Sequence, residues 1–228
     1  KALEISEEEN NEVANVVLLN NLGNTYFEWE KYKKAINSFS KALDINRSFN
    51  KNEDTAQILI KIGNTYMKIS KFDKAMESFQ ESLALSKSIN RKELIALSLN
   101  GMGVISQVRG NLKEAYRNFI EALEIAQEQG MVADIGRLLN NIAMIEMSWG
   151  QFDKAIPNLQ KNLEISKNQK NKHFIAEAYL SLGAAYLSTG KNAKAIQLFD
   201  QAHNVFKEIK NTGGVASALY YKGGIQYK

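Results

Sequence analysis

Several stretches of this sequence carry residues that could do chemistry, and each lacks a partner that its chemistry needs. Gly101-Met102-Gly103 opens like the glycine turn of a dinucleotide loop. The third glycine of that pattern would fall at Ser106, and no strand pattern precedes it. Thr189-Gly190-Lys191-Asn192 resembles the end of a phosphate-binding loop, but Gly183 lies too far upstream and no Ser or Thr follows the lysine. No serine stands in a Gly-x-Ser-x-Gly elbow. The chain has no cysteine, which excludes disulfides, Cys-ligated zinc and thiol catalysis. Its two histidines cannot build a metal site alone: His173 falls in a turn between helical segments, and His203 replaces a leucine in an apolar column. Asn46-Arg47-Ser48 is a formal glycosylation sequon near a helix end and reads as chance. With no nucleophile–base constellation, the expectation is no enzyme, no cofactor and no metal.

The bulk numbers exclude further classes. The net charge is +4, and basic residues alternate with acidic ones, unlike the concentrated footprint of a nucleic-acid binder. No apolar run approaches the roughly 20 residues that a membrane helix needs. No nucleic acid and no membrane are therefore expected as partners of this chain. The lack of cysteine leaves both cytoplasm and periplasm open, with the cytoplasm favoured.

The elements that must position any binding residue follow a repeat. Asn21-Leu22-Gly23-Asn24-Thr25-Tyr26 returns as Lys61-Ile62-Gly63-Asn64-Thr65-Tyr66, and its Gly position recurs at Gly103, Ala143, Gly183 and Gly223, forty residues apart each time. A period of that size marks stacked supersecondary units. In the first unit, apolar residues at helical spacing predict a helix from about Asn11 to Trp29 and a second from Tyr32 to about Phe49. Asn50, Asn90 and Gly130 occupy one turn slot, and Glu30, Ser70, Gly110, Gly150 and Gly190 the other. Both slots suit a left-handed residue.

Columns of equivalent residues give the packing. Gly23, Gly63, Gly103 and Gly183 need a packing reason to sit inside a helix, and close approach of the small Ala35, Ala75, Ala115, Ala155 and Ala195 column would supply it. Phe39, Phe79, Phe119, Leu159 and Phe199 form the large knob, and Leu43, Leu83, Leu123 and Leu163 a further apolar column. The fourth repeat breaks the pattern with Pro157 inside a second helix and Asn162 in the Ala42 column.

These residues resemble the tetratricopeptide repeat (TPR) family. Leu22, Gly23, Tyr26, Ala35, Phe39 and Ala42 match its pattern, as do Leu182, Gly183, Tyr186, Ala195, Phe199 and Ala202. The forty-residue period and the missing terminal proline point to the long-repeat subclass, as in spindle-orientation adaptors, kinesin light chains and bacterial TPR signalling proteins. The resemblance implies an all-α fold, a right-handed TPR superhelix (α-solenoid) of stacked antiparallel helix pairs. Residues 1–228 then form a single TPR array: the tail of one repeat at 1–10, full repeats at 11–50, 51–90, 91–130, 131–170 and 171–210, and a first helix at 211–228. Because the chain begins at Lys1 and opens in the tail of a repeat, the expectation is a piece of a longer protein. Self-association through the two truncated ends is expected with it.

The resemblance also implies a concave groove lined by first helices, in which a protein or peptide partner lies. It would receive Asn20, Asn21 and Asn24, then Lys61, Asn64 and Lys68, then Asn100, and then Arg137, Asn140 and Asn141. An Asn amide both donates and accepts, so it pairs with a peptide backbone of any sequence; Lys and Arg favour acidic groups. The competing reading of Asn24, Asn64 and Asn141 is that they tie neighbouring helices together. The family's clamp for a chaperone carboxylate tail is not reproduced: in its first register Asn20 stands where Lys is wanted, Lys61 where Asn is, and Leu97 and Gly101 where bases are. The functional expectation is a non-catalytic protein- or peptide-binding scaffold. The alternative is a sensory or regulatory region of a larger bacterial signalling protein, such as a histidine kinase, nucleotide cyclase or helix-turn-helix regulator.

Overall fold

The computed structural model of the chain describes residues 12–226. The expected repeat tail at 1–10, Asn11 and Tyr227-Lys228 lie outside the described residues. Among the described residues eleven helices follow one another: α1 (Glu12–Glu28), α2 (Tyr32–Ser48), α3 (Asn52–Lys68), α4 (Phe72–Ser88), α5 (Lys92–Val108), α6 (Leu112–Glu128), α7 (Val132–Ser148), α8 (Phe152–Asn168), α9 (Lys172–Ser188), α10 (Asn192–Glu208) and α11 (Thr212–Gln226). The described residues contain no strand, and no helix among them is long and apolar enough to cross a membrane. The chain divides into two compact units, Lys1–Ile125 and Ala126–Lys228, with the boundary inside α6. In the first unit α1 to α5 each pack on the next, and α3 also touches α5. In the second unit α7 to α11 do the same, and α9 touches both α7 and α11. The fold is all-α and built from consecutive helix pairs.

Every interhelix turn is closed by the same device. Glu30, Asn50, Ser70, Asn90, Gly110, Gly130, Gly150, Lys170, Gly190 and Lys210 all have positive φ, between 53° and 79°. The left-handed residue turns the chain back so that two amides find orphan carbonyls of the ending helix. After α1, Glu30 N–H donates to Phe27 O (2.9 Å) and Lys31 N–H to Tyr26 O (2.8 Å). Both bonds recur at all ten turns, the second as far as Asn211 N–H to Phe206 O (2.9 Å). Lys170 and Lys210 join the expected slots although neither residue type is favoured there.

The glycine column is explained by rings rather than by alanines. A Cβ on Gly23 would lie 2.4 Å from Phe39 Cε1, one on Gly103 2.5 Å from Phe119 Cε1, and one on Gly183 2.6 Å from Phe199 Cε1. The expected Gly–Ala approach is therefore corrected: the phenylalanine ring fills the space a side chain would take. Phe79 is held on two sides, by Gly63 and by Gly101, where an added Cβ would come within 2.9 and 2.4 Å. Phe39, Phe79, Phe119 and Phe199 are almost wholly buried, and so is the Ala column. The Leu column is shallower than expected, since Leu83, Leu123 and Leu163 are only half-buried.

The fourth repeat departs from this pattern in compensating pairs. Ala143 replaces the glycine, Leu159 replaces the ring, and both are buried in one cluster with Ala155, Leu182 and Ala185. A methyl gained on one helix is matched by a ring lost on the other. Asn162 is buried in the Ala42 column, and Gly136 makes room for it: a Cβ at Gly136 would lie 3.1 Å from Asn162 Oδ1. Pro157 is exposed within α8, which runs unbroken past it.

Gly150 has open space where a Cβ would go, so its φ of 73° is its whole requirement. Gly150→Ala should cost about 1 kcal/mol, whereas Glu30→Gly should not lower stability; denaturant melts compare the two. Leu159→Phe should destabilise by about 1–3 kcal/mol through overpacking, and adding Ala143→Gly should restore most of that loss. A double-mutant cycle with no coupling would sink the compensation.

Candidate functional site

The polar residues singled out from the sequence fall on the first helix of each pair. In the first unit, Asn20 and Asn24 stand one turn apart on α1, and Lys61, Asn64 and Lys68 follow at i, i+3 and i+7 on α3. Each set therefore shares a helix face. The two faces meet where Lys61 Nζ donates to Asn20 Oδ1 at 2.7 Å. Asn21, Asn24, Asn64 and Lys68 are exposed, whereas Asn20 and Lys61 are half-buried. The fold thus splits the motif's asparagines: Asn20 orients a cation, and the others reach solvent.

Lys61 is the electrostatic feature of this face. Its ammonium lies 5.9 Å from the centroid of the Phe39 ring, the same ring that fills the space before Gly23. Burial pushes the Lys61 pKa below the ordinary lysine value, because the charged form loses hydration. The Lys68 side chain makes no hydrogen bond or ion pair among the described residues. By contrast, Arg47, Arg91 and Arg109 of the same unit pair with Glu81, Glu53 and Asp73. Asn100 on α5 is half-buried and engaged in contacts.

In the second unit, Arg137 pairs with Asp134 one turn earlier on α7, so the cation expected to meet a partner is already neutralised. Asn140 is half-buried with its Oδ1 unsatisfied, and Asn141 is half-buried and engaged. Met144 beside them is exposed. Near the C-terminal end of this unit, Tyr220 is exposed and Tyr221 stacks on Phe199 with centroids 5.3 Å apart.

The structure also places residues that the sequence reading passed over. Glu146, in the Tyr26 column, is buried and accepts a hydrogen bond from Asn158 Nδ2 at 2.9 Å. Its break with that column was the available signal. Ser82 donates to Ala56 O (2.9 Å) and Ser98 to Ser82 Oγ (3.0 Å), a buried hydroxyl chain between α3, α4 and α5. Lys34 and Lys74 lie over the rings of Tyr26 and Tyr66. His173 is in the first turn of α9, not in the turn before it, and faces Glu177 at 3.2 Å. His203 is half-buried with Nδ1 unsatisfied. No group of three His, Asp or Glu among the described residues could hold a metal. Asn46 of the sequon is buried in the last turn of α2 and does not present a glycosylation site.

The family model described as the MalT-like TPR region matches residues 23–212. No curated protein matches the chain. Among solved structures, BtubC (BKLC) from P. vanneervenii is similar at 20% identity and a TM-score of 0.78, over 92% of this chain and 89% of that one. A signal transduction ATPase with numerous domains (STAND), which carries a tetratricopeptide repeat sensor and comes from Pyrococcus horikoshii, is similar at 20% identity and a TM-score of 0.78. The match covers 94% of this chain and 32% of that one, so this chain spans about a third of the ATPase. Aspartyl phosphate phosphatase F from Bacillus subtilis is similar at 16% identity and a TM-score of 0.74, over 95% and 61% of the two chains. At these identities the likeness is one of fold.

Because the folded pKa of Lys61 lies below the unfolded one, the unfolded chain binds more protons between the two values, and the Lys61 contribution to stability rises with pH through that window. Denaturant midpoints at about pH 7 and about pH 10 should show wild type gaining on Lys61→Met. An unchanged difference would place the ammonium in full solvent.

Proposed function

The chain belongs to the MalT-like TPR family, and on that premise we propose that it is a non-catalytic module that binds a protein or peptide segment across the first helices of its pairs. TPR repeats generally serve as interaction or regulatory regions. The observation that carries the finer reading is the α1–α3 face, where Asn24, Asn64 and Lys68 stay exposed beside a cation held in place by Asn20. The packing uses Gly23, Phe39 and Ala35, so these polar residues are left over from the needs of the fold. Exposed amides at fixed spacing supply donors and acceptors for a main chain, and ordered side chains lose less entropy when a partner arrives. In the first unit Asn20, Asn21, Asn24, Lys61, Asn64, Lys68 and Asn100 are proposed as partner-binding residues; in the second unit, taken by itself, Asn140 and Asn141 are proposed, with Arg137 able to serve a partner only by giving up Asp134.

A second reading has its own support. The likeness to a protein whose repeats are described as a sensor, and of which this chain spans about a third, favours a regulatory region within a larger signalling protein. The two readings share the binding face and differ in what binding does. An effector domain encoded in the same reading frame favours the second.

Selection of a phage-displayed random-peptide library on the chain tests the shared part. Selected peptides should bind the Asn24→Ala/Asn64→Ala variant roughly tenfold more weakly, as expected for losing two hydrogen bonds. Undiminished binding to a variant with an unchanged thermal melt would remove this face from the proposal.

A further inference from the structure

Building on the peptide-binding reading, we propose that the partner segment is extended and carries two acidic residues three positions apart, one seated at Lys61 and the other at Lys68. The argument begins with what the two ammonium groups lack. Lys61 has three N–H donors, and the protein gives them one acceptor, Asn20 Oδ1 at 2.7 Å. It also lies over the face of Phe39, which attracts a cation but takes no hydrogen bond. Neither Lys61 nor Lys68 is paired with a carboxylate. A half-buried ammonium with donors to spare is a seat for an anion, and a carboxylate arriving there relieves the cost of burial.

Spacing fixes the rest. Lys61 and Lys68 are seven residues apart on α3 and share a face, which sets their Cα atoms about 10.5 Å apart along the axis. An extended chain in the polyproline II conformation rises about 3.1 Å per residue with three residues per turn, so residues at i and i+3 stand about 9 Å apart on the same side of the segment. Closer acidic pairs fall short of that span. The partner's conformation follows from what lies between the cations. Asn64 sits between Lys61 and Lys68, and Asn24 is exposed on α1 across the Asn20–Lys61 contact. Amides flanking the cations have work to do only if the partner's backbone N–H and C=O groups are free, as in an extended segment; a helix has already paired its own. The face thus offers alternating charge and amide: carboxylate at Lys61, main chain at Asn64 and Asn24, carboxylate at Lys68.

Fluorescence anisotropy of the full chain with labelled synthetic peptides tests this. The peptides share a Gly/Ser/Thr background and carry two glutamates at i and i+1, at i and i+3, or at i and i+6, or two glutamines at i and i+3. A helix-forming peptide with glutamates at i and i+7 completes the set. The i, i+3 glutamate peptide should bind roughly tenfold tighter than the glutamine peptide and the other spacings. Raising the salt should shrink that margin. Lys68→Gln, at an exposed position that leaves the packing alone, should erase the spacing preference. Equal binding at all spacings, a tighter helical peptide, or no saturable binding by any peptide overturns the proposal. If the glutamine peptide binds as well as the acidic one and needs Asn24 and Asn64, the acidic pair is wrong while the peptide-binding reading stands. A failed library selection removes both.

Discussion

The contact between a glycine in one helix and a phenylalanine ring in the next is what the rest of the structure depends on. At Gly23, Gly103 and Gly183 the ring comes so close that a Cβ would overlap it. This fixes how near the two helices of a pair lie and which faces they turn to each other. A ring buried against backbone stabilises through dispersion and lost water contact, and tight packing leaves little freedom to slide. The fourth repeat supports the same constraint by a different route, since Ala143 and Leu159 redistribute the volume between the same two helices. The contact constrains a sum rather than a residue type.

That constraint leaves the opposite face of each first helix free to vary, and this is where the two units differ. In the first, Asn24, Asn64 and Lys68 are exposed beside the Asn20–Lys61 contact. In the second, Arg137 is neutralised by Asp134, and Met144 is exposed where Asn24 and Asn64 stand in the first. One scaffold therefore carries a polar, cationic surface at one level of the chain and a more apolar one at another. Phe39 links the packing to this polar face, because one ring fills the space before Gly23 and underlies the Lys61 ammonium.

The fold was legible in the sequence because its causes are local and repeated. Helix bounds came within a residue or so in the first repeat: Tyr32–Ser48 against an expected end near Phe49. The turn slots were readable from Asn50, Gly110 and Gly150, whereas Lys170 and Lys210 were not, because the turn imposes positive φ on residues that do not favour it. What lies opposite Gly23 was misread. A column of small residues suggested its partner, but only three-dimensional register shows that the phenylalanine four residues after Ala35 reaches it. Of the candidate site, the residue types and helix faces were legible. The pairing of Asn20 with Lys61, and of Arg137 with Asp134, was not, because each depends on a rotamer that no periodicity encodes. Glu146 was missed because its column holds Tyr26, Tyr66 and Tyr186 besides the small Ser106, so a buried carboxylate had no precedent there.

The ten left-handed turns have a kinetic consequence. Each is closed by hydrogen bonds spanning only a few residues, and within each unit the turns join helices that pack on their immediate neighbours in sequence. Little loop-closure entropy must be lost before such contacts form, so the pairs can assemble rapidly and in succession. A ribosome releasing this chain would deliver a helix, then its reversal, then the helix that covers it, with no segment waiting on a distant strand. The order of synthesis and the order of packing coincide, which shortens the time apolar faces such as that of Phe39 spend unprotected.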